Sequence, residues 1–188
     1  MTTLTLDRLA GKNLDFAEGM VLSFKSRKFD LTLHAASPTN HARRPQPAVR
    51  SESYIRLFNE NGDILLQIMF RNGQNKIWLN DCAGKCIEDG WGKERSVDLS
   101  PVDVKRWGEL GVTISVHHYS TRSGFGQYQI LFNLTTICYF DKTFAGRATR
   151  VQRSDLWNTG FLEESLSFYA YKISALRPEE RQAILLGM

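Results

Sequence analysis

Leu65–Arg95 reads LLQIMFRNGQNKIWLNDCAGKCIEDGWGKER, and its alternation decides how the rest of the chain is to be read. From Leu65 to Arg71, Leu66, Ile68 and Phe70 fall on one face and Gln67, Met69 and Arg71 on the other, the period of a half-buried strand. Asn72, Gly73, Gln74 and Asn75 form a turn cluster. From Lys76 to Asp81, Ile77 and Leu79 then share one face while Trp78 and Asn80 share the other. The pattern predicts a hairpin with a core face and a polar face, with Arg71 and Asn80 as cross-strand neighbours. A loop holding Gly84 and Gly90 follows, then Trp91-Gly92, then a third strand in which Glu94 alternates with Arg95. Such a loop lays the Trp91 indole over the polar face.

On both sides of this unit the same kind of segment recurs. Strands are expected at 20–24, 29–33, 54–58, 64–71, 76–80, 94–99, 112–119, 127–133, 136–140 and 165–173. They are short and separated by turn signals such as Asn61-Gly62-Asp63, without a βαβ rhythm, so the class is all-β, a sandwich or barrel paired antiparallel throughout. Two segments break the pattern. His34–Glu52, rich in Pro, Ala, Ser and Arg, is expected as a long exposed loop beside the polar face. From Arg177 a short helix is expected, with Pro178 at its first position, Glu179 and Glu180 in its first turn and Gly187 as its stop. Residues 1–176 thus read as one domain and 177–188 as a helical tail.

A chain of 188 residues with 42% hydrophobic content can bury a sizeable core and is not largely disordered. The net charge of +4 and pI near 9.0 are mildly basic, but the cations are scattered apart from Arg43, Arg44 and Arg50. A nucleic-acid stripe is broader, so no nucleic-acid partner is expected. Met1–Gly11 has no basic stretch followed by an apolar core, and no run approaches a membrane span. Synthesis in the cytosol without membrane insertion is expected, with an unconventional route to the extracellular space or cell wall as a further possibility. Three cysteines make no disulfide framework. Cys82 and Cys86 read as loop thiols, whose spacing to each other and to His34, His117 or His118 fits no tight zinc pattern. No metal or cofactor is expected. Asn133-Leu-Thr reads as a turn after a strand rather than a glycosylation site.

The polar residues of the opening stretch suit a sugar. A pyranose presents a face of C–H groups and a rim of hydroxyls, so it needs a flat aromatic surface and fixed donors and acceptors beside it. Trp91 supplies the surface. Arg71 offers a rigid fork of donors, Glu94 accepts, and Asn80 does both. The order of a polar residue, Arg four positions on, Asn on the next strand and Trp-Gly-x-Glu after a loop resembles the carbohydrate signature of the galectins. LFNENGDILLQIMFR at 57–71 resembles the strands leading into it, particularly in fungal galectins.

The resemblance implies a jelly-roll β-sandwich of two antiparallel sheets, with a sugar on the concave face of one. It implies a lectin for β-galactoside-type or related glycans of glycoproteins or glycolipids, bound by Gln67, Arg71, Asn80, Trp91 and Glu94, and a homo-oligomer for avidity. Three positions depart from the family pattern: Gln67 stands where galectins usually carry His, Met69 where they carry Asn, and Ser96 where they carry Arg. Arg95 comes one position early, and strict alternation aims it at the opposite face unless a bulge intervenes. Asn40 and His41, in the loop before the motif strands, are candidates to make good Met69, as some fungal galectins do with an inserted loop. The altered positions leave open a shift to GalNAc-terminated glycans or chitooligosaccharide, and a protein-interaction module with a decayed site.

Each residue also has a plainer role. Trp91 alone would most often pack, Arg71 and Glu94 could be only an ion pair across a sheet, and Asn80, Gln67 and Met69 could be strand filler. For an enzyme, Glu94 with Asp98, or Glu163 with Glu164, would have to form a glycosidase carboxylate pair. Neighbouring strand residues point apart, and no nucleophile elbow or phosphate loop occurs, so no catalytic residues are assigned.

Overall fold

The computed structural model describes residues 2–5, 16–26, 29, 31, 52–71, 73–84, 90–119, 125–155, 166–172, 178–179 and 182. Its strands are β1 (Thr2–Thr5), β2 (Met20–Ser26), β3 (Glu52–Phe58), β4 (Ile64–Arg71), β5 (Lys76–Cys82), β6 (Arg95–Asp98), β7 (Val112–Tyr119), β8 (Gln127–Phe132), β9 (Thr135–Asp141), β10 (Arg150–Asp155) and β11 (Leu166–Lys172). A helix, α1 (Pro101–Leu110), joins β6 to β7. A six-stranded sheet runs β1-β10-β3-β4-β5-β6 and a five-stranded sheet β11-β2-β7-β8-β9. Every pairing is antiparallel.

The inward residues of both sheets form one apolar core. Ile55, Leu57, Leu66, Ile68, Phe70, Ile77 and Leu79 from the first sheet meet Leu22, Phe24, Ile114, Val116, Ile130 and Phe132 from the second. These are the apolar positions of the alternating pattern, and burying them on one face is what gives each strand its register. Phe70 of β4 and Phe132 of β8 approach to 6.3 Å between centroids, and Phe29 and Trp107 close around them at 5.2 Å from Phe70 and 5.0 Å from Phe132.

The strand pattern anticipated nine of these eleven strands in place. It missed β1 and β10, and it missed α1. The helix carries its own signals: Pro101 at the first turn, the Ser100 hydroxyl accepting from Asp103 N at 3.5 Å, and Gly111 at φ 80° closing it onto Trp107 O. Phe29 and Leu31, expected in a strand, are buried but lie in none; residues 30, 32 and 33 fall outside the described residues. Asn133 and Leu134 form the expected turn, with φ of 49° and 68°, and Asn133 Oδ1 accepts from Thr113 N at 2.8 Å. Pro178, Glu179 and Gln182 are helical as expected, and the rest of the tail lies outside the described residues.

Further along β7 and β8 the core is closed by polar groups. His118 and Lys142 are buried, with Lys142 Nζ 3.4 Å from His118 Nε2 and donating to Gly146 O at 2.8 Å. Phe16 stacks on Tyr128, whose ring lies 5.1 Å from that of His118. Burial, reinforced by the Lys142 charge, pushes His118 down to about 4 from its ordinary 6.5. Between those two values the unfolded chain holds a proton that the folded chain does not, so stability falls as pH falls through that window, by roughly 3 kcal/mol. In urea denaturation at about pH 7 and about pH 4, His118→Phe should lose correspondingly less stability than the wild type. An equal loss in both proteins would show that His118 is not the titrating group.

Candidate functional site

The face of the six-stranded sheet turned away from the core is a grid of rows. Arg56, Gln67 and Asn80 stand opposite one another across β3, β4 and β5. The next row is Tyr54, Met69, Trp78 and Ser96. Beyond it lie Arg71 and the Lys76–Asp98 ion pair, at 3.1 Å. On the other side of the polar row, Phe58, Ile64 and Cys82 form a small apolar cluster of their own, capped by Trp91. Ile64 and Gln67 share this face because the register breaks between them and sends both Leu65 and Leu66 into the main core.

Trp91 is held by the backbone. It bridges Cys82, while Ala83 N donates to Gly90 O at 2.9 Å and Gly92 N to Asp81 O at 3.0 Å. Gly92 packs closely here: a Cβ there would displace the Asp81 carboxylate and stand 3.3 Å from Asn80 Oδ1. Arg71 holds Glu94 with both ends of its guanidinium, at 2.8 and 3.2 Å, and lies 4.2 Å over the Trp78 ring. With side chains 20% and 32% exposed, the pair contributes about 1 kcal/mol or less to stability, but two parallel bonds fix its geometry. Trp78 Nε1 is tied to Gln74 Oε1 at 2.9 Å.

Gln67 and Asn80 are nearly buried, at 4% and 7% exposure. Arg56 Nε donates to Gln67 Oε1 at 2.5 Å, and Asp81 N donates to Asn80 Oδ1 at 2.9 Å. Each amide oxygen thus accepts one bond within the protein and keeps a second lone pair, and each amide also carries an NH2 donor group.

The five expected residues thus meet on one face, with a corrected register. Asn80 is opposite Gln67, not beside Arg71, because the connection after Arg71 sets Phe70 against Ile77. Met69 lies between Tyr54 and Trp78 and is buried. Ser96 does face the site, opposite Trp78, while Arg95 pairs with Leu79 and reaches across to donate to Tyr139 O at 3.0 Å. Asn40, His41 and Cys86 lie outside the described residues. Cys82 is not a loop thiol; it ends β5 and is fully buried. Among the described residues no group of three or more His, Cys, Asp or Glu side chains is arranged to hold a metal, and no helix is long and apolar enough to cross a membrane. Sequence reasoning missed Tyr54, Arg56 and Trp78 as site neighbours. Tyr54 and Arg56 alternate with Ile55 and Leu57, which marks a polar face but not which strand that face adjoins.

Two such sheets packed face to face, with this grid on the outer face of one, make a galectin-like jelly-roll sandwich. Solved structures agree on the fold. The toad ovary galectin in complex with N-acetylgalactose is 15% identical, with a TM-score of 0.55 over 91% of this chain and 98% of that one. Chicken galectin 2 is 14% identical, with a TM-score of 0.53 over 91% and 98%. Sheep galectin-11 in complex with glycerol is 12% identical, with a TM-score of 0.54 over 90% and 96%. No protein-family model matches the sequence, and neither does any curated protein.

The cover that Trp91 places on Cys82 is directly testable. Trp91→Ala should raise the rate at which Cys82 reacts with a thiol reagent, followed by peptide mass mapping, by at least about tenfold. Unchanged protection would mean that Trp91 does not cap this cluster.

Proposed function

We propose that the protein is a lectin that binds glycans reversibly on the outer face of the six-stranded sheet. The observation that carries this reading is the pairing of Arg71 and Glu94 in a fixed two-bond clamp over Trp78, beside the Gln67–Asn80 row and the Trp91 platform. A clamped guanidinium and carboxylate offer a hydroxyl its donor and its acceptor in one place, without reorganisation on binding. Trp91 stacks under the C–H face of the ring, and the NH2 groups of Gln67 and Asn80 donate to hydroxyl oxygens. The fold likeness to the toad ovary galectin, solved with N-acetylgalactose and with thio-digalactose, supports a sugar as the ligand.

Within this reading the glycans are β-galactoside-type or related; the alternative, for which Gln67 in place of an imidazole is the motive, is a shift to GalNAc-terminated glycans or chitooligosaccharide. The resemblance of 57–71 to fungal galectins is what motivates a fungal kinship in this reading, and a homo-oligomer would supply avidity. Residues 1–176 act as the recognition domain, made in the cytosol and delivered to the cell exterior by an unconventional route. The partners are glycans, with neither nucleic acid nor membrane insertion involved. The reading assigns no catalysis: Glu94 and Asp98 are each paired with a cation, Arg71 and Lys76, which suits holding rather than proton transfer.

A glycan array covering β-galactosides, GalNAc-terminated glycans and chitin fragments tests this. Wild type should retain a defined subset unchanged, and Trp91→Ala and Glu94→Gln should each weaken retention at least about tenfold, a loss of about 1.4 kcal/mol, with circular dichroism unaltered. A blank array with a protein partner in pull-down would turn the reading to an interaction module, for which the replaced positions Gln67, Met69 and Ser96 are the motive. Turnover of a glycoside that stops in Glu94→Gln would turn it to a glycosidase.

A further inference from the structure

The outer face of the five-stranded sheet is closed, unlike the outer face that holds the site. On β2, β7 and β8 the residues turned away from the core are Val21, Ser23, Ser115, His117, Gln129 and Leu131, and each is at most 3% exposed. With β9 they form two adjoining rows across the strands, Val21–His117–Gln129–Tyr139 and Ser23–Ser115–Leu131–Thr136. On either side of this band the face opens again: Lys25 and Asp141 are exposed, and Thr113, Tyr119 and Gln127 are half-exposed. Within the band the polar groups bond one another sideways. Ser23 Oγ meets Ser115 Oγ at 2.8 Å, His117 Nδ1 meets Gln129 Oε1 at 2.9 Å, and Gln129 Nε2 donates to Thr136 Oγ1 at 2.8 Å. Such groups can be covered without being left unsatisfied.

An open sheet face does not bury side chains to that degree, so something lies on the band. The chain achieves this burial alone, and the cover therefore belongs to it. Among the described elements none provides it: the strands of the six-stranded sheet meet the inner face, and α1 turns Val104 and Trp107 into the main core. The shape of the band points to the shape of the cover. Its two rows lie about 7 Å apart along the strands, and five strands at about 4.8 Å spacing measure about 19 Å from edge to edge. A strip that long and narrow suits one rod laid across the strands, and a helix over residues 177–188 is about 18 Å long and about 10 Å wide. Such a helix also starts in the right place. β11 is the edge strand beside β2, and its last residues, Tyr171 and Lys172, stand opposite Val21 and Met20 at the end of the first row. Pro178, Glu179 and Gln182 are helical and exposed, and at about 100° per residue they share one side. By the same period Leu176, Ala183 and Ile184 fall on the other side with Arg177 and Glu180. That mixed surface matches a band in which Val21 and Leu131 lie among serine, histidine and glutamine.

We propose that the segment after β11, residues 173–188, is this cover, its helix docked across β2, β7, β8 and β9 on the outer face of the five-stranded sheet. The sandwich then has a third layer: the face bearing the site stays open, and the opposite face is sealed by the chain's own tail. β11 is joined to its sheet only through β2, so a helix running from it to the far edge straps the five strands together. The same layer keeps this face from a second copy of the chain, and copies meet through other surfaces. The docked tail stands apart from the lectin reading, and either can fail without the other.

A spin label on the full chain tests this. Gln182 is exposed, so Gln182→Cys is labelled in a Cys86→Ser background, with Cys82 and Cys138 buried. The nuclear magnetic resonance signals of Ser23, Ser115, His117 and Gln129 should broaden, while those of Trp78 and Asn80 on the other outer face are spared. Broadening at Trp78 and Asn80, or at neither set, overturns the proposal. A second arm carries Leu176→Gln and Ile184→Gln together, and where that variant does not fold the spin label decides alone. Burial holds the His117 ring below its ordinary 6.5, although its bond to Gln129 acts the other way. Once uncovered, His117 should titrate closer to that value, and the amides of β11 should exchange at least about tenfold faster. Titration and exchange unchanged from the wild type overturn the docked tail and turn the search for the cover to residues 6–15 and 156–165.

Discussion

The register break in β4 is the constraint on which the outer face depends. In an unbroken strand Ile64 would share a face with Leu66, and the apolar and polar rows could not lie side by side. Taking Leu65 and Leu66 together into the core shifts the alternation by one residue, while β3 alternates without a break, with Leu57 opposite Leu66 and Phe58 opposite Ile64. Below the break Gln67 joins Arg56 and Asn80. Above it Ile64 joins Phe58 and Cys82, and this cluster is what Trp91 rests on. One inserted residue thus builds both the polar rim and the aromatic floor, and it does so on strands anchored by a fully buried inner face.

That anchoring explains how side chains on an exposed sheet face stay ordered. Each polar group is tied to a neighbour before any ligand arrives: Arg71 to Glu94 and the Trp78 ring, Trp78 to Gln74, Gln67 to Arg56, Asn80 to the Asp81 backbone. None of these ties contributes much stability, since each trades one hydration for another. Their effect is on conformational entropy. A long guanidinium or amide side chain held in one rotamer loses less freedom on binding than a mobile one, so more of the contact energy remains as affinity.

The period-2 alternation made most of the sandwich legible, because each core-facing apolar residue had to fall on an inward position. Elements with little to bury were not. β10, read as RVQRSD, is polar except for Val151, and β1 is only four residues long, so neither carries a hydrophobic period. Ser100-Pro101 did mark the start of α1, but the helix buries only Val104 and Trp107, too few to give a periodic stripe. Within the site, the order of Gln67, Arg71, Asn80, Trp91 and Glu94 showed which residues meet. It did not show their rows, because cross-strand register depends on turn length and bulges. Arg56 was invisible for a similar reason: nothing in YIRL says that β3 is the strand beside β4.

The positions that depart from the galectin pattern acquire a common physical sense once the rows are known. Ser96 occupies the site-facing place on β6 where the pattern has a cation, and Arg95, one residue earlier, is carried by strict alternation to the other side. There it bonds Tyr139 O of the second sheet and ties the edge of β6 to β9. The cation missing from the β6 side of the face is matched by Arg56 on the β3 side, across the Gln67–Asn80 row. Gln67 suits that arrangement better than an imidazole would. Its oxygen accepts from Arg56 Nε while its amide keeps two N–H donors, whereas a neutral ring accepting that bond has a single N–H, fixed on the far side of the ring. Arg95 thus serves the edge between β6 and β9, while the cation bonded to Gln67 stands on β3.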